Sequence, residues 1–115
     1  MTTAVSTMIA PLIRRKIFAS EEQAVRELLS EHIVRQIAGL RRKVTRFERK
    51  YGMGFEQFVA YLHERSNLLA TGELSPQQLQ ALNQAVMQEE DDWLEWKVAR
   101  EMLDSWIGLS EEIAA

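Results

Sequence analysis

The feature that most constrains this chain is an apolar seam running Val25, Leu29, Ile33, Ile37, Leu40, Val44, Phe47, Tyr51. Its steps are 4, 4, 4, 3, 4, 3 and 4 residues. That is the period of one face of an α-helix, and it excludes a strand, whose faces alternate every second residue. Ser20 and Gln23 at the start form a capping pair, with the hydroxyl covering a free N–H and the amide reaching back. Glu21 and Glu22 favour the positive end of the helix dipole. Gly39 costs about 1 kcal/mol in mid-helix without stopping it, and Gly52 is a natural C-terminal stop. The spacing predicts a helix over residues 21–51, roughly 45 Å long at 1.5 Å per residue. A small domain covers so long a seam only with another long helix of the chain or with a second copy of it. The expected dimer contacts are Ile33, Ile37, Leu40 and Val44, with Ile13 and Ile17 upstream.

Gly52-Met53-Gly54 reads as a connector. A short helix follows over 55–69, with Phe55, Phe58, Val59, Leu62 and Leu69 on one broad face, and Thr71-Gly72-Glu73 closes it. Ser75-Pro76 opens a third helix, Ser as cap and Pro in the first turn. Leu79, Leu82, Val86 and Met87 carry its stripe to the acidic run 88–92. Trp93, Leu94, Trp96, Val98, Met102, Leu103, Trp106 and Ile107 carry it on to Gly108. The stretch reads as one helix over 76–107 or as two broken near Glu90, and the continuous one is favoured because no Pro or Gly lies inside.

Residues 1–10 read as a frayed end. Pro11–Phe18, with β-branched or aromatic Ile13, Ile17 and Phe18, reads either as a short strand led by Pro or as an extended arm lying on a helix. The fold class is therefore mainly α, with two long helices, one short helix and an N-terminal strand or arm, in a helical homodimer. The layout is one domain over 1–115, with an arm at 1–19, a helical body at 20–108 and a tail at 109–115.

Charge narrows the function. The net charge of −3 hides two halves. Residues 1–57 carry eleven Lys/Arg against six Asp/Glu, a balance of +5; residues 58–115 carry three against eleven, a balance of −8. Such asymmetry marks interaction proteins. With no Cys, disulfides, thiolate metal sites and cysteine nucleophiles are excluded. Two His and five Gly leave little from which to build a cofactor site, so neither a cofactor nor an enzyme is expected. No apolar run approaches the ~18 residues of a membrane span. Arg14-Arg15 is followed by no apolar segment that a twin-arginine signal would need, so the cytoplasm is the expected location.

Each charged cluster has a functional reading and a plainer one. Arg35, Arg41, Arg42, Lys43, Arg46, Arg49 and Lys50 crowd the end of the first long helix, and Arg14, Arg15 and Lys16 lie upstream. Of these, Arg14, Arg15, Lys16, Arg41, Arg42, Lys43 and Arg46 are the candidate phosphate contacts of a nucleic-acid site. The plainer reading is that they stabilise a helix C-terminus or face the acidic helix. Glu89, Glu90, Asp91, Asp92 and Glu95 splay over more than half a turn without a Glu-x-x-His, so a metal site is not expected. Glu89, Glu90, Asp91, Asp92, Trp93, Trp96 and Trp106 form the candidate surface for a basic partner, since Trp is enriched at interface hot spots; core packing is the plainer role of the tryptophans. His32 and His63 read as packing or surface residues, and Gly52-x-Gly54 is too short for a phosphate loop.

The stretch Phe47-Glu48-Arg49-Lys50-Tyr51-Gly52-Met53-Gly54-Phe55-Glu56-Gln57-Phe58 resembles a segment of small bacterial antitoxins, the antitoxin half of a toxin–antitoxin pair. Asp91-Asp92-Trp93-Leu94-Glu95-Trp96 is similar to their acidic tails, and the likeness spans about residues 47–96. It implies an N-terminal part that dimerises and binds operator DNA, and an acidic C-terminal part that covers a small basic toxin. Pro11–Phe18 followed by Ser20 also resembles a ribbon-helix-helix start, although the first long helix has no mid-helix turn to split it in two. The function expected is thus a non-enzymatic, antitoxin-like interaction module. The alternative is a homodimeric helical structural or adaptor protein with no nucleic-acid role.

Overall fold

The computed structural model describes residues 4–114. Among the described residues it contains four helices and no strand: α1 (Ala4–Arg14), α2 (Glu21–Tyr51), α3 (Phe55–Thr71) and α4 (Pro76–Ala114). The mainly α class and the bounds of α2 agree with the sequence reading. Ser20 Oγ accepts from the Gln23 N–H at 3.1 Å, and Gln23 Oε1 accepts from the Ala19 N–H, one residue upstream of the expected target. At the other end Gly52 takes the left-handed conformation (φ 64°) and donates to the Glu48 carbonyl. An L-residue reaches that φ only with strain, which is why glycine stands there.

Two expectations are corrected. Most of the arm is a helix: Ala4–Arg14 is α1, neither a frayed end nor a strand nor an extended segment, with a turn and bends over 15–19, and residues 1–3 of the expected frayed end lie outside the described residues. Ile9, Leu12 and Ile13 recur at helical spacing, and Ile9 is buried. Burial on α2, where Ala24 is fully covered, overrides the β-preference of the isoleucines. Pro11 sits inside α1 and removes one helical hydrogen bond. The helix closes in a Schellman pattern, with Ile17 N–H donating to the Leu12 carbonyl and Lys16 N–H to that of Ile13. Lys16 holds the left-handed position at φ 60° where glycine is usual, so the sequence shows no stop signal there. The second correction concerns α4. It is continuous, as expected, but passes through Gly108 to Ala114, so 109–114 is helix rather than tail. One Gly without Pro beyond it does not end a helix packed on a neighbour.

The molecule is a rod of 73 × 24 × 24 Å. Its spine is α4. Helix α2 runs antiparallel to it, since Tyr51 meets Asp92, Phe47 meets Trp96 and His32 meets Trp106. Helix α3 is antiparallel to it too, with Glu56 beside Arg100 and Arg65 beside Glu89. All three helices converge on Trp96, which is fully buried among Phe47, Phe58 and Leu62. No helix of the described residues is long and apolar enough to cross a membrane.

From Ile33 onward the seam of α2 is covered within the chain, while Val25 and Leu29 stay exposed. Ile33 is buried and lines one concavity with Ser110 and Ile113, Ile37 lines another with Ile107, and Val44 packs on the Trp96 cluster. Leu40 is half-buried on the same face. The need for a partner at Ile33, Ile37, Leu40 and Val44 is therefore met by α4. Of the remaining expected dimer contacts, Ile13 is half-buried and Ile17 is exposed.

Candidate functional site

The acidic and basic clusters first answer one another. Asp92 accepts from Lys50 Nζ and from Tyr51 Oη, each at 2.5 Å. Burial pushes the Asp92 carboxyl up, but these two hydrogen bonds and the Lys50 charge outweigh it and hold the group below its ordinary value. Burial, then the bond to Asp92, drives the Tyr51 phenol well above its ordinary value. One turn earlier on α4, Glu89 is buried beside Arg65 at 2.8 Å. That contact has ion-pair distance without hydrogen-bond alignment, and Arg65 Nε, Glu89 Oε1 and Trp96 Nε1 have no hydrogen-bond partner among the described residues. Burial and Glu89 push the Tyr61 phenol up. Lys43 approaches Glu95 at 3.8 Å. Arg100 pairs with Glu56 at 3.1 Å and lies 4.4 Å over the Phe55 ring.

What is left after this pairing faces outward. Arg41, Arg42, Arg46 and Arg49 are exposed and, with Thr45, line one shallow concavity on α2. None of the four forms an ion pair among the described residues. At 100° per residue, Arg42, Arg46 and Arg49 lie within a narrow sector opposite Ile33, Leu40 and Tyr51. Core packing therefore aims them at solvent. Lys43 is drawn off towards Glu95. Arg14, Arg15 and Lys16 are exposed, but they sit before the first turn of α2. At 1.5 Å per residue they are about 30 Å from Arg41, so the two basic groups form separate patches.

The acidic surface is smaller than its sequence suggests. Trp96 and Glu89 are buried and unavailable to a partner. Trp96 is the central core residue, and Glu89 is turned inward by Arg65. Asp92 is committed to Lys50 and Tyr51. Trp106 is half-buried edge-on to His32, with ring centroids 5.7 Å apart. Glu90 and Asp91 remain exposed. They rim a groove between α3 and α4 lined by Val59, Leu62, His63, Ser66, Trp93 and Leu94. Among the described residues no group of three His, Asp or Glu is placed to hold a metal ion.

The sequence reading missed Tyr51, Tyr61 and Arg65 as partners of the acidic run, because only the antiparallel register brings them there. It also missed the groove: Val59 and Leu94 were counted in the apolar stripes of their helices, and only the packing shows that both stay exposed. No family model, curated protein or solved structure matches the chain.

Proposed function

We propose that the protein is a non-enzymatic, antitoxin-like interaction module that meets nucleic-acid phosphates through the outer face of α2. The observation that carries this reading is the set Arg41, Arg42, Arg46 and Arg49, which forms no ion pair among the described residues and faces solvent, while the other cations of α2 each have an acid within reach. Guanidinium groups in a row suit phosphate oxygens bidentately. The antitoxin likeness over residues 47–96 supports the same reading. It adds a small basic partner protein, met by the exposed acids Glu90 and Asp91 with Trp93 beside them.

The test is fluorescence anisotropy of duplex DNA, the promoter of its own gene included, across salt concentrations. Four phosphate contacts give a slope of log K against log salt of roughly −3 to −4. Charge reversal of Arg41, Arg42, Arg46 and Arg49 abolishes binding. Absence of any anisotropy change at low salt overturns the nucleic-acid reading.

One observation favours the adaptor reading instead. Met87, Leu94, Val98, Met102 and Leu109 are exposed on the side of α4 opposite Trp96. That helix is apolar on two faces and covers only one of them. Recovery of a folded, DNA-indifferent assembly favours this second reading.

A further inference from the structure

We infer that the groove between α3 and α4 receives the N-terminal helix α1 of a second copy of the chain, in a reciprocal two-fold dimer. The groove has an apolar floor of Val59, Leu62, Trp93 and Leu94 and an acidic rim of Glu90 and Asp91. Leu94 is 53% exposed and Val59 41%, so the floor lacks a cover within its own chain. A matching segment must be apolar on one edge, basic at one end and free of acids.

Residues 4–20 meet all three conditions. They contain Arg14, Arg15 and Lys16 and no Asp or Glu. Helix α1 buries only Ile9 in its own chain, while Met8 is 72% exposed, Val5 49% and the following Ile17 57%. The arginine face of α2 matches the charge but not the floor, because Thr45 is its only uncharged lining residue.

The arm cannot fill its own groove. It packs where α2 begins, and Glu21 and Val25 there share a concavity with Ile113 at the far end of α4. From Ile113 back to Leu94 is about 28 Å along the helix. The occupant must come from another copy, and a two-fold arrangement makes the same contact twice. Two exposed surfaces that each lack a cover are thereby satisfied together, with cations meeting acids at their edges. This inference is independent of the nucleic-acid reading, which rests on the outer face of α2. A basic partner protein that uses Glu90 and Asp91 competes with the arm for them.

The absence of cysteine makes a clean test. Full-length Met8→Cys and Leu94→Cys variants are mixed under mild oxidation. The expected product is a mixed disulfide dimer, formed at least tenfold faster than either variant alone cross-links. Leu94→Cys pairing with itself, without the mixed product, shows that the outer faces of α4 meet each other and overturns the proposal. A wild-type chain that sediments as a monomer at about 100 µM overturns it also. In a second arm, Arg14→Glu with Arg15→Glu weakens the dimer at least tenfold, and adding Glu90→Arg with Asp91→Arg restores it. Dimerisation indifferent to both swaps would falsify the arm-in-groove contact even if a dimer exists. All these positions are exposed, and unchanged helical circular dichroism confirms that the variants fold.

Discussion

The two ends of α2 are packed to different depths. At one end α2, α3 and α4 meet, and Phe47, Phe58, Leu62 and Trp96 form a buried cluster, with Tyr51, Phe55, Tyr61 and Trp93 around it. Trp96 stacks against Phe47 with ring centroids 5.6 Å apart and meets Phe55 edge-on at 5.5 Å. At the other end α1 and the tail of α4 cover the start of α2, and the buried residues are Ile9, Ala24 and Ile33. Val25, Leu28, Leu29 and Val34 are exposed there. The difference lies in geometry more than in composition. At the thin end α1 and α4 each pack on a stripe of α2, whereas at the other end α2, α3 and α4 all send side chains into one cluster around Trp96, from which water is excluded. The three-helix end holds the fold, and the thin end follows.

That contrast fixes the largest expected effect. Trp96→Ala removes a fully buried indole and should cost about 3–5 kcal/mol, close to the whole stability of a small domain. Trp106→Ala, at a half-buried site of the thin end, should cost about 1–2 kcal/mol, in proportion to the area it covers. Urea titrations followed by circular dichroism measure both, and equal losses would erase the distinction between the ends.

Glu89→Ala comes next. It strands Arg65 beside Tyr61 in a partly buried setting, and about 1–3 kcal/mol is expected, less than for a fully buried pair because the guanidinium keeps some water. Replacing Glu101, which lies 3.9 Å from Lys97 on the surface, should change urea stability by under about 0.5 kcal/mol.

The third effect is one of pH, and it too belongs to the thick end. The Asp92 carboxyl is held below its ordinary value, so its contribution is present above pH 4 and lost as pH falls through the folded-state value. The Tyr51 phenol is held above its ordinary value, so its contribution is complete below pH 10 and lost as pH rises further. Asp92→Asn should flatten the acid limb of urea stability measured from pH 3 to 7. An unchanged acid limb would show that the junction carboxylate is not what couples stability to protons.

What the sequence revealed depended on how local the signal was. The helix α2 was legible to the residue, because Ser20, Gln23 and Gly52 act within a turn of themselves and the seam between them is long. The helix α1 was not, because its β-branched residues suit a strand and its stop is a lysine in a glycine's position. The end of α4 was hidden by Gly108, which local rules read as a terminator and packing against α2 overrides. At the candidate site, the crowding of arginines on α2 was plain in the sequence. Which cations stay free was not: Lys43 and Arg42 are neighbours in the chain, and only the approach of Glu95 separates their roles. The demotion of Trp96 and Glu89 from surface to core likewise needed the register of α4 against α2 and α3.

A small gain in stability, rather than a loss, probes how the two ends communicate. Gly39 lies in mid-α2, between Ile33 of the thin end and Phe47 of the thick one. A methyl group built there meets only the flexible tip of Arg42 at 3.7 Å, an ordinary contact. Gly39→Ala should therefore stabilise the protein by about 0.5–1 kcal/mol, by restricting the unfolded chain and favouring helix. The readout that matters is where this gain appears. Helices α2 and α4 run through both ends without a break, so the rod should unfold as one unit. In a Trp106→Phe background, where the remaining Trp93 and Trp96 both belong to the thick end, circular dichroism and tryptophan fluorescence should shift by the same amount. If the dichroism transition moves and the fluorescence one stays, the thin end melts separately. The rod is then a stable junction carrying a loosely held hairpin.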